Sequence, residues 1–160
     1  LFKDLSVWQN VWVALQKDRN QSAGWMGEWF GNSKFQKEKI QEILVFSGLG
    51  SRFNDLAGNL SFGEQRRLEL ARAIASKPKL ILLDEPAAGM NSDEVADLRQ
   101  RILDLKKLGL TVLLVEHVME LVMNVVDRIV VLNFGKKIAE GSPENIQNNE
   151  DVQKAYLGGA

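Results

Sequence analysis

Residues 60–91 read LSFGEQRRLELARAIASKPKLILLDEPAAGMN, and the reading of this stretch decides the fold. Ser61 followed three residues later by Glu64 has the spacing of a capping box, which opens a helix over 63–76 and leaves free backbone N–H groups at its positive end. Anions favour such an end. Lys77-Pro78 stops the helix. Leu80 to Leu83 is then an unbroken apolar run, expected of a strand covered on both faces, and it ends abruptly in Asp84-Glu85. In an open α/β sheet, ligands gather at the carboxyl ends of strands. The helix start and the acidic pair are therefore the first candidate functional groups.

Downstream, helix-sized and strand-sized segments alternate. Asn91 or Ser92 caps a helix over 93–108, with Val95, Leu98, Ile102, Leu105 and Leu108 on one side and Gly109 as its stop. A second apolar strand, 110–115, ends in Glu116-His117. A short helix over 118–126 leads to a strand over 128–132, and this order predicts crossover connections and a parallel sheet. Asn133-Phe134-Gly135-Lys136 reads as a tight turn that folds 137–140 back as a hairpin. Ser142-Pro143-Glu144 starts a short helix, and 152–157 forms a last helical turn.

Upstream, Ser6 caps a helix over 7–17 with an apolar stripe of Val7, Trp8, Val11, Trp12 and Leu15, and Ser33 opens a second over 34–47 closed by Gly48. All four tryptophans lie within the first 29 residues. Together with Met26 and Phe30 they read as packing within a small helical layer in preference to a partner-binding patch. Residues 52–59 form a polar, turn-prone approach to the opening stretch.

Composition narrows the class. The chain has 160 residues, 45% hydrophobic and 26% charged, which suits one globular domain or most of one. Twenty basic against 21 acidic residues leave a net charge of −1, so bulk charge supplies no attraction to nucleic acid. The absence of cysteine rules out disulfides and thiolate metal sites. No apolar stretch approaches the roughly 18 residues a membrane span requires.

A carboxylate directly after an apolar strand can hold Mg²⁺ through water, as Asp84 would, while its neighbour Glu85 orients or deprotonates an attacking water. An acidic loop opening at Pro86 would use the same residues with no ligand. His117, the sole histidine, follows a buried strand and would reach the same sheet edge, although a histidine filling a helix start would read identically. Ser61 and Glu64 are explained by capping alone. Gly63 adds that another group can come close to exposed N–H donors. Arg66 and Arg67 read as a solvated face.

With these residues in view, a family resemblance emerges. Leu60-Ser61-Phe62-Gly63-Glu64-Gln65 resembles the signature motif of ABC ATPases, and residues 80–85 resemble their Walker B strand with its catalytic glutamate. Gly89-Met90-Asn91 falls at the D-loop and His117 at the switch histidine, with order and spacing preserved. Finer details, LSFGEQRRLELARAI, LLDEPAAGMN, VEHVME, DRIVVLNFGKKIAEGSPENI and KAYLG, are similar to the ATP-binding subunits of branched-chain amino acid importers. Departures from the broad family pattern are Phe62 for a glycine, Glu64 for a glutamine and Asn91 for an aspartate.

The resemblance implies an α/β fold, the C-terminal part of an ABC-type P-loop NTPase domain. Its parts would be an α-helical subdomain and linker over 1–59, a partial ATPase core of parallel sheet flanked by helices with a C-terminal β-hairpin over 60–141, and a helical tail over 142–160. It implies ATP and Mg²⁺ as ligands. Glu85 and His117 would be catalytic, Asp84 would hold Mg²⁺ via water, Ser61, Gly63 and Glu64 would face a partner's ATP, and Asn91 would belong to the D-loop. Partners would be a second ABC ATPase subunit, transmembrane permease subunits and, indirectly, a periplasmic binding protein, with no nucleic acid. The place of work would be the cytoplasmic face of the cell membrane. Alternatives are another ABC system, for another amino acid, urea or lipopolysaccharide, or a non-transport ABC ATPase.

No G-x-x-x-x-G-K-[ST] stretch occurs, since the sole Gly-Lys pair, Gly135-Lys136, precedes another lysine. The chain starts at Leu1, and the family would place its phosphate loop and glutamine loop ahead of that point. The expectation is a C-terminal two-thirds of the domain that does not hydrolyse ATP alone. Its uncovered apolar strands should make it poorly soluble.

Overall fold

The computed structural model describes residues 1–16 and 33–157, so Trp25, Met26, Trp29 and Phe30 lie outside the described residues. The chain forms two compact units, Leu1–Val115 and Glu116–Ala160, and each is taken by itself.

The first unit begins with a helical layer: α1 (Val7–Gln16), α2 (Ser33–Phe46) and α3 (Phe62–Ala75), joined by single 3-10 turns at Gly50–Arg52 and Ala57–Asn59. Ser6 caps α1 as its position predicts. Its hydroxyl accepts from the Gln9 N–H at 3.4 Å while its own N–H donates to Gln9 Oε1 at 2.8 Å. Val7, Val11, Ile40, Leu44, Leu49 and Leu68 form the dry centre of the layer, with Trp8 and Trp12 packed against it. Trp8 also stacks on Phe53, with ring centroids 6.0 Å apart, so these two tryptophans do serve packing. Asn10 is wholly buried. Its amide donates to the Phe2 and Ser6 carbonyls and its Oδ1 accepts the Phe2 N–H, satisfying a polar group that would otherwise be costly to bury. Gly48, at φ +69°, ends α2 where a left-handed residue is needed, and Leu49 N–H reaches back to the Leu44 carbonyl at 2.7 Å.

Beyond α3, strand β1 (Leu80–Asp84), helix α4 (Ser92–Lys107) and strand β2 (Thr111–Val115) form a β–α–β unit. The strands pair in parallel, in register from Leu80 opposite Thr111 to Asp84 opposite Val115. Leu70, Ile81 and Leu105 centre the core beneath them, with Leu83 and Val112 packed alongside.

The apolar runs suit burial on both faces, and the uncovering expected of them in this chain is seen on one face, where Leu80, Leu82, Leu113 and Val115 are exposed, Leu82 by 66%. The parallel register puts these four on one face, opposite the face that packs into the core of Leu70 and Leu105.

The second unit holds α5 (Met119–Val125), β3 (Ile129–Asn133), β4 (Lys136–Gly141), α6 (Pro143–Gln147) and α7 (Glu150–Leu157). Within this unit β3 pairs with β4, antiparallel. The hairpin itself follows the reading. Phe134 and Gly135 both take positive φ, +45° and +76°, as a two-residue turn matched to strand twist requires. Ser142 caps α6, with Pro143 in its first turn, and Val131, Ile146 and Val152 form the unit's core. Among the described residues, no helix is long and apolar enough to cross a membrane.

Candidate functional site

The start of α3 carries a complete capping box. Ser61 Oγ accepts from the Glu64 N–H at 3.3 Å, and the Ser61 N–H donates to Glu64 Oε2 at 2.9 Å. The other carboxylate oxygen of Glu64 takes the Arg52 guanidinium at 3.0 Å. The Ser61 N–H does most to hold the Glu64 carboxyl below its ordinary range, with partial burial opposing it and the Ser61 hydroxyl and Arg52 adding to it. Glu64 is thus committed to the helix start. Ser61 is exposed. Phe62 is also exposed, with the Arg66 guanidinium 5.1 Å from its ring centroid. Gly63 is buried.

At the end of β1, Asp84 is the last strand residue, opposite Val115, where the sequence reading placed it just beyond the strand. Glu85 adopts φ +42°. That left-handed conformation costs a side-chain-bearing residue about 1–3 kcal/mol and persists only where neighbours impose it. The neighbour here is β2, because the Glu85 N–H donates to the Val115 carbonyl at 2.8 Å. The ladder therefore continues one residue past Asp84 and turns the chain sharply. Both carboxylate residues are exposed.

The loop after Glu85 is closed by turns, Ala88 N–H to the Glu85 carbonyl and Met90 N–H to the Ala87 carbonyl, each at 3.1 Å. It ends at Asn91, which caps α4. Asn91 Oδ1 accepts the Glu94 N–H and Glu94 Oε2 accepts the Asn91 N–H, both at 3.0 Å. Glu94 was missed by the sequence reading, although Asn91-x-x-Glu94 carries the same spacing as Ser61-x-x-Glu64.

A cavity of about 220 Å³ opens between α3, β1 and α4, and Gly63 and Asp84 both line it, with Arg67, Leu70, Leu82 and Met90. Ser61, Glu64, Glu85 and Asn91 are not on its wall. The structure thus groups six of the predicted residues in the first unit, of which two share one cavity.

His117 belongs to the second unit. Its side chain is 65% exposed, while that of Glu116 beside it is fully covered. The Glu116 carboxylate accepts the His117 N–H at 2.9 Å and the Val118 N–H at 3.3 Å, and lies 3.4 Å from His117 Nδ1. It folds back over the chain just ahead of α5, so Glu116 sets the backbone that presents the histidine. No residue-type rule distinguishes Glu116 from a solvated acid.

Among the described residues, no three histidines or carboxylates lie close enough together to bind a metal ion. Asp84 would need further oxygen ligands from the nucleotide or water, which is the usual way Mg²⁺ is held at phosphate sites.

Comparison with known proteins places the chain among related sequences and structures. The family model described as ABC transporter matches residues 1–88, and that described as branched-chain amino acid ATP-binding cassette transporter matches residues 136–160. The high-affinity branched-chain amino acid transport ATP-binding protein BraF of Pseudomonas aeruginosa is 40% identical over 167 residues, covering 100% of this chain and 65% of that protein. LivG of Escherichia coli K12, of the same description, is 39% identical with the same coverage. The chain thus spans 65% of the length of these curated relatives. A crystal structure of the ADP conformation of an ATP-binding cassette of an ABC transporter superposes with a TM-score of 0.78 at 29% identity, covering 99% of this chain and 65% of that one.

Proposed function

The chain belongs to the ABC transporter family, and on that premise we propose that it is the signature-bearing part of an ATP-hydrolysing subunit of an importer for branched-chain amino acids. The observation that carries the proposal is the pairing, within one unit, of a capped and exposed Ser61 at a helix start with the Asp84-Glu85 pair at the end of a parallel strand. Relatives at 39–40% identity named for branched-chain amino acid transport support the substrate class.

In this reading two copies meet head to tail. Ser61 donates its hydroxyl proton to the γ-phosphate held by the partner, and the free N–H groups at the start of α3 stabilise the same charge. Glu64 acts one step back, because its carboxylate is spent on the cap and Arg52. Glu85 accepts a proton from the attacking water, its left-handed backbone setting where the carboxylate points. His117, whose backbone Glu116 sets, serves the nucleotide bound by its own subunit. Asp84 would hold Mg²⁺ through water. When bound, that ion neutralises charge on the transferred phosphoryl group. Asn91 spans the junction between the two copies. Permease subunits receive the motion through the helical layer of α1 and α2, at the cytoplasmic face of the membrane, and a periplasmic binding protein supplies the amino acid. The 160-residue chain by itself does not turn over ATP, since it carries no glycine-rich loop with a lysine to cradle the β- and γ-phosphates.

The test uses the assembled importer in membrane vesicles. Glu85→Gln should trap ATP and stop uptake of leucine, isoleucine or valine. Uptake at the wild-type rate would refute the assignment, and turnover of ATP by the isolated chain would refute its expected inactivity.

A further inference from the structure

The starts of α3 and α4 touch through three contacts stacked one above another. At the outermost, the Phe62 ring lies against Gly89, whose absent Cβ would sit 3.5 Å from Phe62 Cε1. Next, a Cβ placed on Gly63 would fall 3.0 Å from Glu94 Cδ and closer still to Glu94 Oε1. One turn further along both helices, Arg67 Nε pairs with Asp97 Oδ2 at 3.1 Å. Residues 63 and 67 on α3 thus face 94 and 97 on α4, the spacings that put side chains on one helix face.

The middle contact is the decisive one. A long acid at the end of a flexible side chain would swing away from an added methyl, but Glu94 is not free to swing. Its Oε2 accepts the Asn91 N–H at 3.0 Å, closing the capping box of α4. One carboxylate therefore caps α4 and also packs against the first turn of α3, where negative charge is favourable to both helices.

We propose that Glu94 is a positioning residue that locks the start of α3 to the start of α4, so that Ser61 and Asn91 move as one rigid lip. The functional consequence rests on the ATPase reading above, in which those two residues meet a partner copy. The lock itself does not, and its test involves no nucleotide.

Hydrogen exchange on the full 160-residue chain reads it directly. Two sets of amides matter: 94–96, where Glu94 and Val95 bond to Asn91, and 64–66, where Glu64 and Gln65 bond to Ser61. Glu94→Ala should speed exchange by about three- to tenfold in both sets, although it removes no hydrogen bond within α3. Glu94→Gln, which can still close a capping box, should restore both. Faster exchange confined to 94–96 would reduce Glu94 to a local cap and overturn the proposal.

Gly63→Ala supplies a second arm. Alanine in a helix ordinarily slows exchange relative to glycine. Here its methyl should dislodge the Glu94 carboxylate and speed exchange at 94–96, and that effect should vanish when Glu94 is already alanine. Slower exchange in Gly63→Ala, or effects that simply add in the double variant, would equally overturn it.

Discussion

Asp97 is the charge that holds three helices together, and Asp97→Asn tests how much that matters. Its Oδ2 accepts from Arg67 of α3 at 3.1 Å, and both oxygens accept from Arg101 of α4, Oδ2 from Nε at 3.0 Å and Oδ1 from Nη2 at 2.8 Å. Arg101 also donates to the Phe46 carbonyl at the end of α2, so the network reaches the helical layer. A charge-assisted hydrogen bond shielded from water contributes about 1.5–3 kcal/mol. The Asp97 side chain is 34% exposed and that of Arg101 15%, so water recovers part of each bond. The expected loss for all three together is about 1.5–2 kcal/mol. Asp104 on the same helix is the control. It pairs with Lys107 at 2.9 Å, but the lysine is 72% exposed, and Asp104→Asn should unfold at the wild-type midpoint. Urea unfolding followed by tryptophan fluorescence reports the first unit, because all four tryptophans lie within residues 1–29. A midpoint for Asp97→Asn no lower than that for Asp104→Asn would refute the reasoning.

Acid should act through Glu64. Its folded carboxyl lies below the ordinary range, so the stability it contributes is present above the unfolded value and fades as pH falls through the folded one. Urea midpoints measured downward from about pH 5 should fall less steeply in Glu64→Gln than in wild type. Gly109 and Gly135 take φ +80° and +76° with open space where a Cβ would stand. Alanine at either should cost only backbone strain, about 1–2 kcal/mol by chemical denaturation, and asparagine less; loss of folding would show an unseen packing constraint. The open face of β1 and β2 should drive self-association, so Leu82→Lys with Leu113→Lys should lower light scattering at a given concentration while the circular dichroism is kept. Unchanged scattering would place the sticky surface elsewhere.

Much of the local structure was legible because its causes are local. Ser61 with Glu64, Ser6 with Gln9 and Ser142 with Asn145 are interactions across three residues, and Gly48, Gly109 and Gly135 mark backbone turns that other residues resist. The strands were recognisable from their apolar runs, and the acidic pair from its place at the end of one. Their partners were not. An apolar run states that a strand is suited to burial, but which faces are covered depends on which elements arrive, and at β1 the opposite face stayed open.

The site divides along the same line. Sequence by itself determined the helix start at Ser61, the carboxylates at Asp84 and Glu85, the cap at Asn91 and the family to which their order belongs, because each is carried by residue types at short, fixed spacings. Only the tertiary structure decided that Gly63 is a seat for Glu94, that Glu85 is left-handed with its N–H bonded to β2, that Asn10 is a buried tie and that the Glu116 side chain is covered while that of His117 is exposed. The Gly63 and Glu85 contacts join segments distant in the chain, whereas Asn10 and Glu116 are bonded to residues no more than eight and two positions away, and what covers them is set by the packing around them. Both arise only when packing brings the segments together.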